Sequence, residues 1–99
     1  MKKGEESMGK RPNDELIPEL FETILNLRTQ EDCAAFFADL CTEKELENMA
    51  SRLAAARLLM EGNTYLQVIE AVDISSATLS RVSRCVQHGT GYVRMIGKD

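Results

Sequence analysis

The chain has 99 residues, enough for one domain and not for two. Its 43% hydrophobic and 28% charged residues are ordinary for a globular protein, and no apolar run approaches the roughly 20 residues of a membrane-spanning helix, so no membrane partner is expected. The net charge is −4, which taken alone argues against nucleic acid.

The distribution of that charge says more than its sum. Residues 1–12 carry Lys2, Lys3, Lys10 and Arg11 against Glu5 and Glu6. Residues 13–47 carry ten acids against Arg28 and Lys44, a net −8. Residues 75–99 carry Arg81, Arg84, Arg94 and Lys98 against Asp99 alone, a net +3. Two basic ends around an acidic middle suit a protein that offers one face to phosphates and keeps another away from them.

Residues 1–12 hold Gly4, Gly9 and Pro12 with no periodic apolar pattern and read as a flexible basic arm. The start has no apolar stretch of the kind a signal peptide needs. Residues 13–99 then read as one helical domain. Leu16, Ile17, Leu20, Phe21, Ile24, Leu25 and Leu27 recur at helical spacing, and Pro18 places the start of that helix close before it. Thr29 with Asp32 opens a second helix, whose apolar face is Cys33, Phe36, Phe37, Leu40 and Cys41. Thr42 with Glu45 is a capping box, and the third helix it opens is expected to bury Leu46, Met49, Leu53, Ala54 and Met60 before stopping at Gly62. Thr64 with Gln67 caps a fourth helix bearing Leu66, Val68, Ile69 and Val72. After Asp73-Ile74-Ser75, Ser75 caps a fifth, with Leu79, Val82 and Val86 as its inward stripe and Gly89 and Gly91 past its end. Tyr92 to Ile96 reads as a final short turn of helix. No segment alternates as a strand, so the fold class is all-α, with five to six helices.

Residues 64–87 thus give two short helices separated by a three-residue break, the spacing of a helix-turn-helix. The inward stripe of the helix over 75–87 leaves Ser76, Ala77, Thr78, Ser80, Arg81 and Arg84 facing outward. Small residues at its start let a backbone approach DNA closely. Ser and Thr hydroxyls bond phosphates or base edges, and arginine forks onto guanine. No acid occurs between Ser75 and Lys98. A solvated helical hairpin has the same spacing, so the pattern alone leaves both readings open.

Several runs carry a resemblance. They are Phe36-Phe37-Ala38-Asp39-Leu40-Cys41, Thr42-Glu43-Lys44-Glu45-Leu46 through Ser51-Arg52-Leu53, Leu58-Leu59-Met60-Glu61-Gly62-Asn63-Thr64-Tyr65, Ser76-Ala77-Thr78-Leu79-Ser80-Arg81-Val82 and Arg84-Cys85-Val86-Gln87-His88-Gly89. Together they resemble the Trp repressor superfamily, in its YerC/YecD-type branch of Trp-repressor-related proteins. The resemblance implies an interlocked, all-helical homodimer in the cytoplasm that binds double-stranded DNA and regulates transcription as a repressor does. It puts Ser75, Ser76, Ala77, Thr78, Ser80 and Arg81 at DNA-contacting positions, and the outward face adds Arg84. Two departures stand out. The first helix of the motif offers Tyr65, Leu66 and Ile69 where polar or basic phosphate contacts are usual, which implies low affinity for generic DNA, and the turn contains no glycine.

The same resemblance implies a candidate effector pocket at Thr42, Arg52 and Val82. Trp repressor holds an indole ring between an arginine matching Arg52 and a glycine where this chain has Val82. An isopropyl group there takes the space of the indole, so tryptophan is not expected as a corepressor, and no cofactor is assigned. Arg52 reads equally well as a surface residue covering the third helix.

Other chemistry has little support. One histidine, His88, and three dispersed cysteines, Cys33, Cys41 and Cys85, do not give zinc-ligand spacing, and no serine or cysteine has a histidine-based partner for nucleophilic catalysis. The cysteines read as reduced thiols of a cytoplasmic protein, two of them at apolar positions. Glu43, Glu45 and Glu47 read as a solvated first turn that favours the helix dipole. An enzyme is not expected. The alternative function is a helical protein-interaction module that uses the acidic surface of residues 13–47.

Overall fold

A computed structural model describes residues 14–97; the basic arm read over residues 1–12, and Lys98 with it, lie outside the described residues. Six helices follow in order: α1 Leu16–Ile24, α2 Gln30–Leu40, α3 Glu43–Met60, α4 Tyr65–Ala71, α5 Ser76–His88 and α6 Gly91–Ile96. No strand occurs among the described residues. The chain divides into two compact units at Leu40–Cys41.

The unit before Cys41 contains α1 and α2. Pro18 is the third residue of α1, within the first turn, where its missing N–H has no helical partner to lose. Thr29 Oγ1 accepts from Asp32 N at 3.0 Å and so caps α2. Asp32 completes the start differently from a capping box, because its Oδ2 accepts from Arg28 N, at 3.1 Å. Phe36 and Phe37 meet edge to face, with ring centroids 5.3 Å apart, and are half-buried. Neither helix holds a buried residue, and Phe21 and Leu25 are 57% and 81% exposed.

The unit from Cys41 onward contains α3 to α6. Thr42 and Glu45 form the capping box of α3, with Thr42 N donating to Glu45 Oε1 at 2.9 Å and Glu45 N to Thr42 Oγ1 at 3.0 Å. The other end of α3 closes in a Schellman motif: Gly62 N donates to Leu59 O at 3.0 Å and Asn63 N to Leu58 O at 3.1 Å. That geometry needs the left-handed backbone of Gly62, whose φ is +99°. Thr64 and Gln67 cap α4 reciprocally, as Thr42 and Glu45 cap α3.

The core of this unit is Ala55 and Ala56 of α3, Val68 of α4, and Leu79 and Val82 of α5. Leu58, Leu59, Val72, Ile74, Val86, Tyr92 and Ile96 pack around it. The core departs from the sequence expectation for α3. Leu46 and Leu53 are 39% and 40% exposed, Met49 and Ala54 are half-buried, and it is Ala55 and Ala56 that are fully buried. Ala55 lies about 200° around the helix from Leu53, so α3 carries two apolar faces. The alanine face receives α5 because its short side chains let the helices approach closely. Within this unit Leu46 and Leu53 of the other face stay partly exposed.

Candidate nucleic-acid interface

The helix-turn-helix is built by α4, a turn and α5. Val72 ends α4 in extended backbone at φ −132°, and Ile74 tucks half-buried against the core. Ser75 is extended too, at φ −76°. Among the described residues no non-glycine residue takes a positive φ, so this turn is made without the conformation that glycine favours. Glycine is absent here because the backbone does not need it.

Ser75 is the N-cap of α5. Its Oγ accepts from Thr78 N at 3.1 Å and donates to Thr78 Oγ1 at 3.0 Å. The hydroxyl hydrogen of Ser75 is therefore engaged, while that of Thr78 remains able to donate. Leu79, Val82 and Ser83 are the buried residues of the helix. Ser76, Ala77, Ser80, Arg81 and Arg84 are exposed, and Thr78 is half-buried. The outward residues therefore form one continuous surface at the entering end of α5. Neither Arg81 nor Arg84 is ion-paired among the described residues, so both guanidinium groups are free to meet an external anion. The pattern of apolar residues did not reveal Ser83, which is 5% exposed and accepts from Gln87 Nε2 at 3.3 Å. His88 is the last residue of α5, exposed at the end where a cation favours the helix dipole. On α4, Tyr65, Leu66 and Ile69 are exposed, and the helix carries no Lys or Arg.

The residues expected at an effector pocket are not brought together. Val82 is 1% exposed inside the core. The Thr42 hydroxyl is occupied as the α3 cap. Arg52 instead lines a polar hollow of about 240 Å³ with Lys44, Asn48 and Ser51 of α3, facing Asp73 to Ser75 and Thr78. Neither Thr42 nor Val82 borders that hollow. Among the described residues, no cluster of three His, Cys, Asp or Glu side chains is placed to hold a metal, and Cys33 is exposed with Cys41 and Cys85 half-buried as free thiols.

A short helix, an extended turn and a longer capped helix whose polar face is turned outward define a helix-turn-helix protein. Residues 15–97 match the family described as Trp repressor protein, and the chain belongs to that family, in its YerC-related group. It is 44% identical over 79 residues to the uncharacterized protein YerC of Bacillus subtilis strain 168, a match covering 80% of this chain and 76% of YerC. Among solved structures, it resembles a TrpR-like protein from Eubacterium eligens ATCC 27750, with a TM-score of 0.77 and 37% identity over 81% of this chain and 84% of that one. It also resembles a Staphylococcus aureus protein described as a Trp repressor candidate, with a TM-score of 0.78 and 35% identity over 88% and 92% of the two chains.

Proposed function

We propose that the protein is a sequence-specific double-stranded DNA-binding regulator of bacterial transcription, working in the cytoplasm as a homodimer with α5 in the major groove. The observation that carries this reading is the division of α5. Leu79, Val82 and Ser83 anchor the helix in the core, while Ser76, Ala77, Ser80, Arg81 and Arg84 project with no carboxylate among them. Arginine reads guanine at two acceptors, and hydroxyls and N-terminal amides take phosphates. The first helix of the motif adds no cation, so few phosphates are neutralised and generic affinity is low. Discrimination then rests on α5. Fluorescence anisotropy with duplex from the promoter of its own operon, against scrambled duplex of equal length, tests the reading. Tighter binding to the promoter supports it. Equal or absent binding to both overturns it in favour of an interaction module on the acidic segment.

The homodimer follows from surface left uncovered. α1 and α2 bury no residue. The leucine face of α3 continues into an apolar groove of about 450 Å³ lined by Leu53, Cys85, Tyr92, Met95 and Ile96. Apolar surface on that scale calls for a second chain, and paired recognition helices read two half-sites about 34 Å apart. Sedimentation equilibrium at micromolar concentration is expected to give twice the 11.1 kDa chain mass. A folded monomer at that concentration would show that the exposed faces of α1 and α2 need no second copy.

Tryptophan has no place in this scheme as a corepressor. The Val82 side chain fills the core, and among the described residues Ile74 is the one apolar residue bordering the hollow beside Arg52. Saturating tryptophan is therefore expected to leave both the melting temperature and the DNA affinity unchanged. A tryptophan-dependent rise in either quantity refutes the steric argument.

A further inference from the structure

The turn of the helix-turn-helix carries a charge of the wrong sign for a surface that meets phosphates. Asp73 stands two residues before Ser75, the N-cap of α5, and is exposed. Two residues of extended chain span no more than about 7 Å, so the Cα of Asp73 lies within that distance of the Cα of Ser75. Beyond Asp73 the chain holds no acid until Asp99, so Asp73 is the carboxylate nearest in sequence to the outward face of α5. On the other side of the turn, α4 contributes the exposed Glu70 and no cation. Among the described residues Asp73 forms neither a hydrogen bond nor an ion pair, so no partner neutralises its charge. Lys44 and Arg52 border the same hollow as Asp73 without pairing with it.

Phosphates are drawn to the entering end of a recognition helix by its free N–H groups and its dipole. A carboxylate at that end opposes the attraction. At an ionic strength of about 0.1 M charges interact over about 10 Å, so a phosphate that reaches Ser75 or Ser76 also feels Asp73. The same negative charge favours the dipole of α5, so Asp73 supports the helix whose approach to DNA it resists. We infer that Asp73 is a repulsive element that sets duplex affinity, an inference that rests on the DNA-binding reading of α5. Its charge acts on the phosphate backbone and not on base edges, so the penalty is the same for every sequence. A protein faced with many generic sites is kept off them by such a penalty, and stays only where the base contacts of α5 offset it. α4 withholds cations from the backbone, and Asp73 adds repulsion.

Fluorescence anisotropy on the full chain, with promoter duplex and scrambled duplex over a range of salt, tests the role. Asp73→Asn is expected to tighten both duplexes alike, by about threefold at about 0.05 M salt, with the gain fading as salt rises. The plot of log affinity against log salt is expected to steepen by up to about one unit. Asp73→Lys is expected to tighten both duplexes by about tenfold. Asp73→Glu keeps the charge and is expected to stay within about twofold of the wild type. Melting temperatures are read in parallel, and Asp73→Asn is expected to melt no higher than the wild type. Affinity unchanged in both Asp73→Asn and Asp73→Lys overturns the repulsive role and leaves DNA binding intact. Tighter binding of one sequence alone makes Asp73 a base contact, and tighter binding with a matching rise in melting temperature assigns the effect to the fold. Either result overturns the proposal. Absence of duplex binding by the wild type and by every variant removes the DNA-binding reading itself, and the proposal with it.

Discussion

Leu79→Ala is expected to lower the stability of the unit from Cys41 onward by about 2–5 kcal/mol. Leu79 has no exposed surface and is among the three largest fully buried side chains, with Val68 and Val82. Its neighbours in the core include Ala55 and Ala56, which have no rotamers with which to fill the space left behind. The cavity therefore persists, and the cost falls toward the upper end of that range. Domains of this size are stable by only about 5–15 kcal/mol, so one substitution removes a large share. The check is urea unfolding followed by circular dichroism. The midpoint should drop with the slope unchanged, because the surface exposed on unfolding is nearly the same. Leu66→Ala is the control, since Leu66 is 65% exposed and its loss should stay within about 0.5 kcal/mol. Equal midpoints for the two variants would mean that α5 is not packed on α3 as described. Leu79 lies in α5, the helix proposed to read DNA, so under that proposal the destabilised variant should also lose DNA binding at temperatures where it begins to unfold.

Local chemistry is what the sequence made legible. The caps at Thr42, Thr64 and Ser75 each need partners only three residues away, and the C-terminal stop at Gly62 needs only one left-handed residue. The inward stripe of α5 was legible because Leu79, Val82 and Val86 recur at i, i+3 and i+7 in a helix that is otherwise mostly polar. α3 was harder for the opposite reason. Apolar periodicity shows that a face is to be covered and says nothing of which element covers it. The stripe of Leu46, Met49 and Leu53 is the more hydrophobic face, yet α5 packs on Ala55 and Ala56, where close approach outweighs side-chain size. The apolar residues of α1 and α2 raise the same ambiguity. Their spacing marks surface that needs covering, and within the chain none of it is buried. The hollow at Arg52 was out of reach because Lys44 and Asp73 are neighbours only after α3 and the turn have packed together. A resemblance could align Arg52 with a pocket residue. It could not show that Val82 lies inside the core, away from the hollow that Arg52 borders.

Within the proposed interface, Arg81 and Arg84 are expected to fail in different ways when replaced. Arg81 lies one turn beyond Ala77 and Thr78, on the outward face near the entering end of α5, and is exposed. There its planar fork can take two acceptors of one guanine, a geometry that the single ammonium of lysine cannot reproduce. Arg81→Lys keeps the charge and removes the fork. It should weaken binding to a selected operator by about 1–3 kcal/mol and relax preference at one base pair, with little effect on scrambled duplex. Arg84 is about 4.5 Å farther along the helix axis, where α5 is leaving the groove, so its partner is a phosphate. Arg84→Ala should weaken all duplexes alike and lower the slope of log affinity against log salt by about one unit. Titrations of both variants on operator and scrambled duplex at several salt concentrations separate the two roles. If Arg81→Lys weakens both duplexes equally, Arg81 contacts the backbone and α5 enters the groove in another orientation. If neither variant alters binding to any duplex, α5 is not the DNA-reading element and the exposed arginines belong to a different partner.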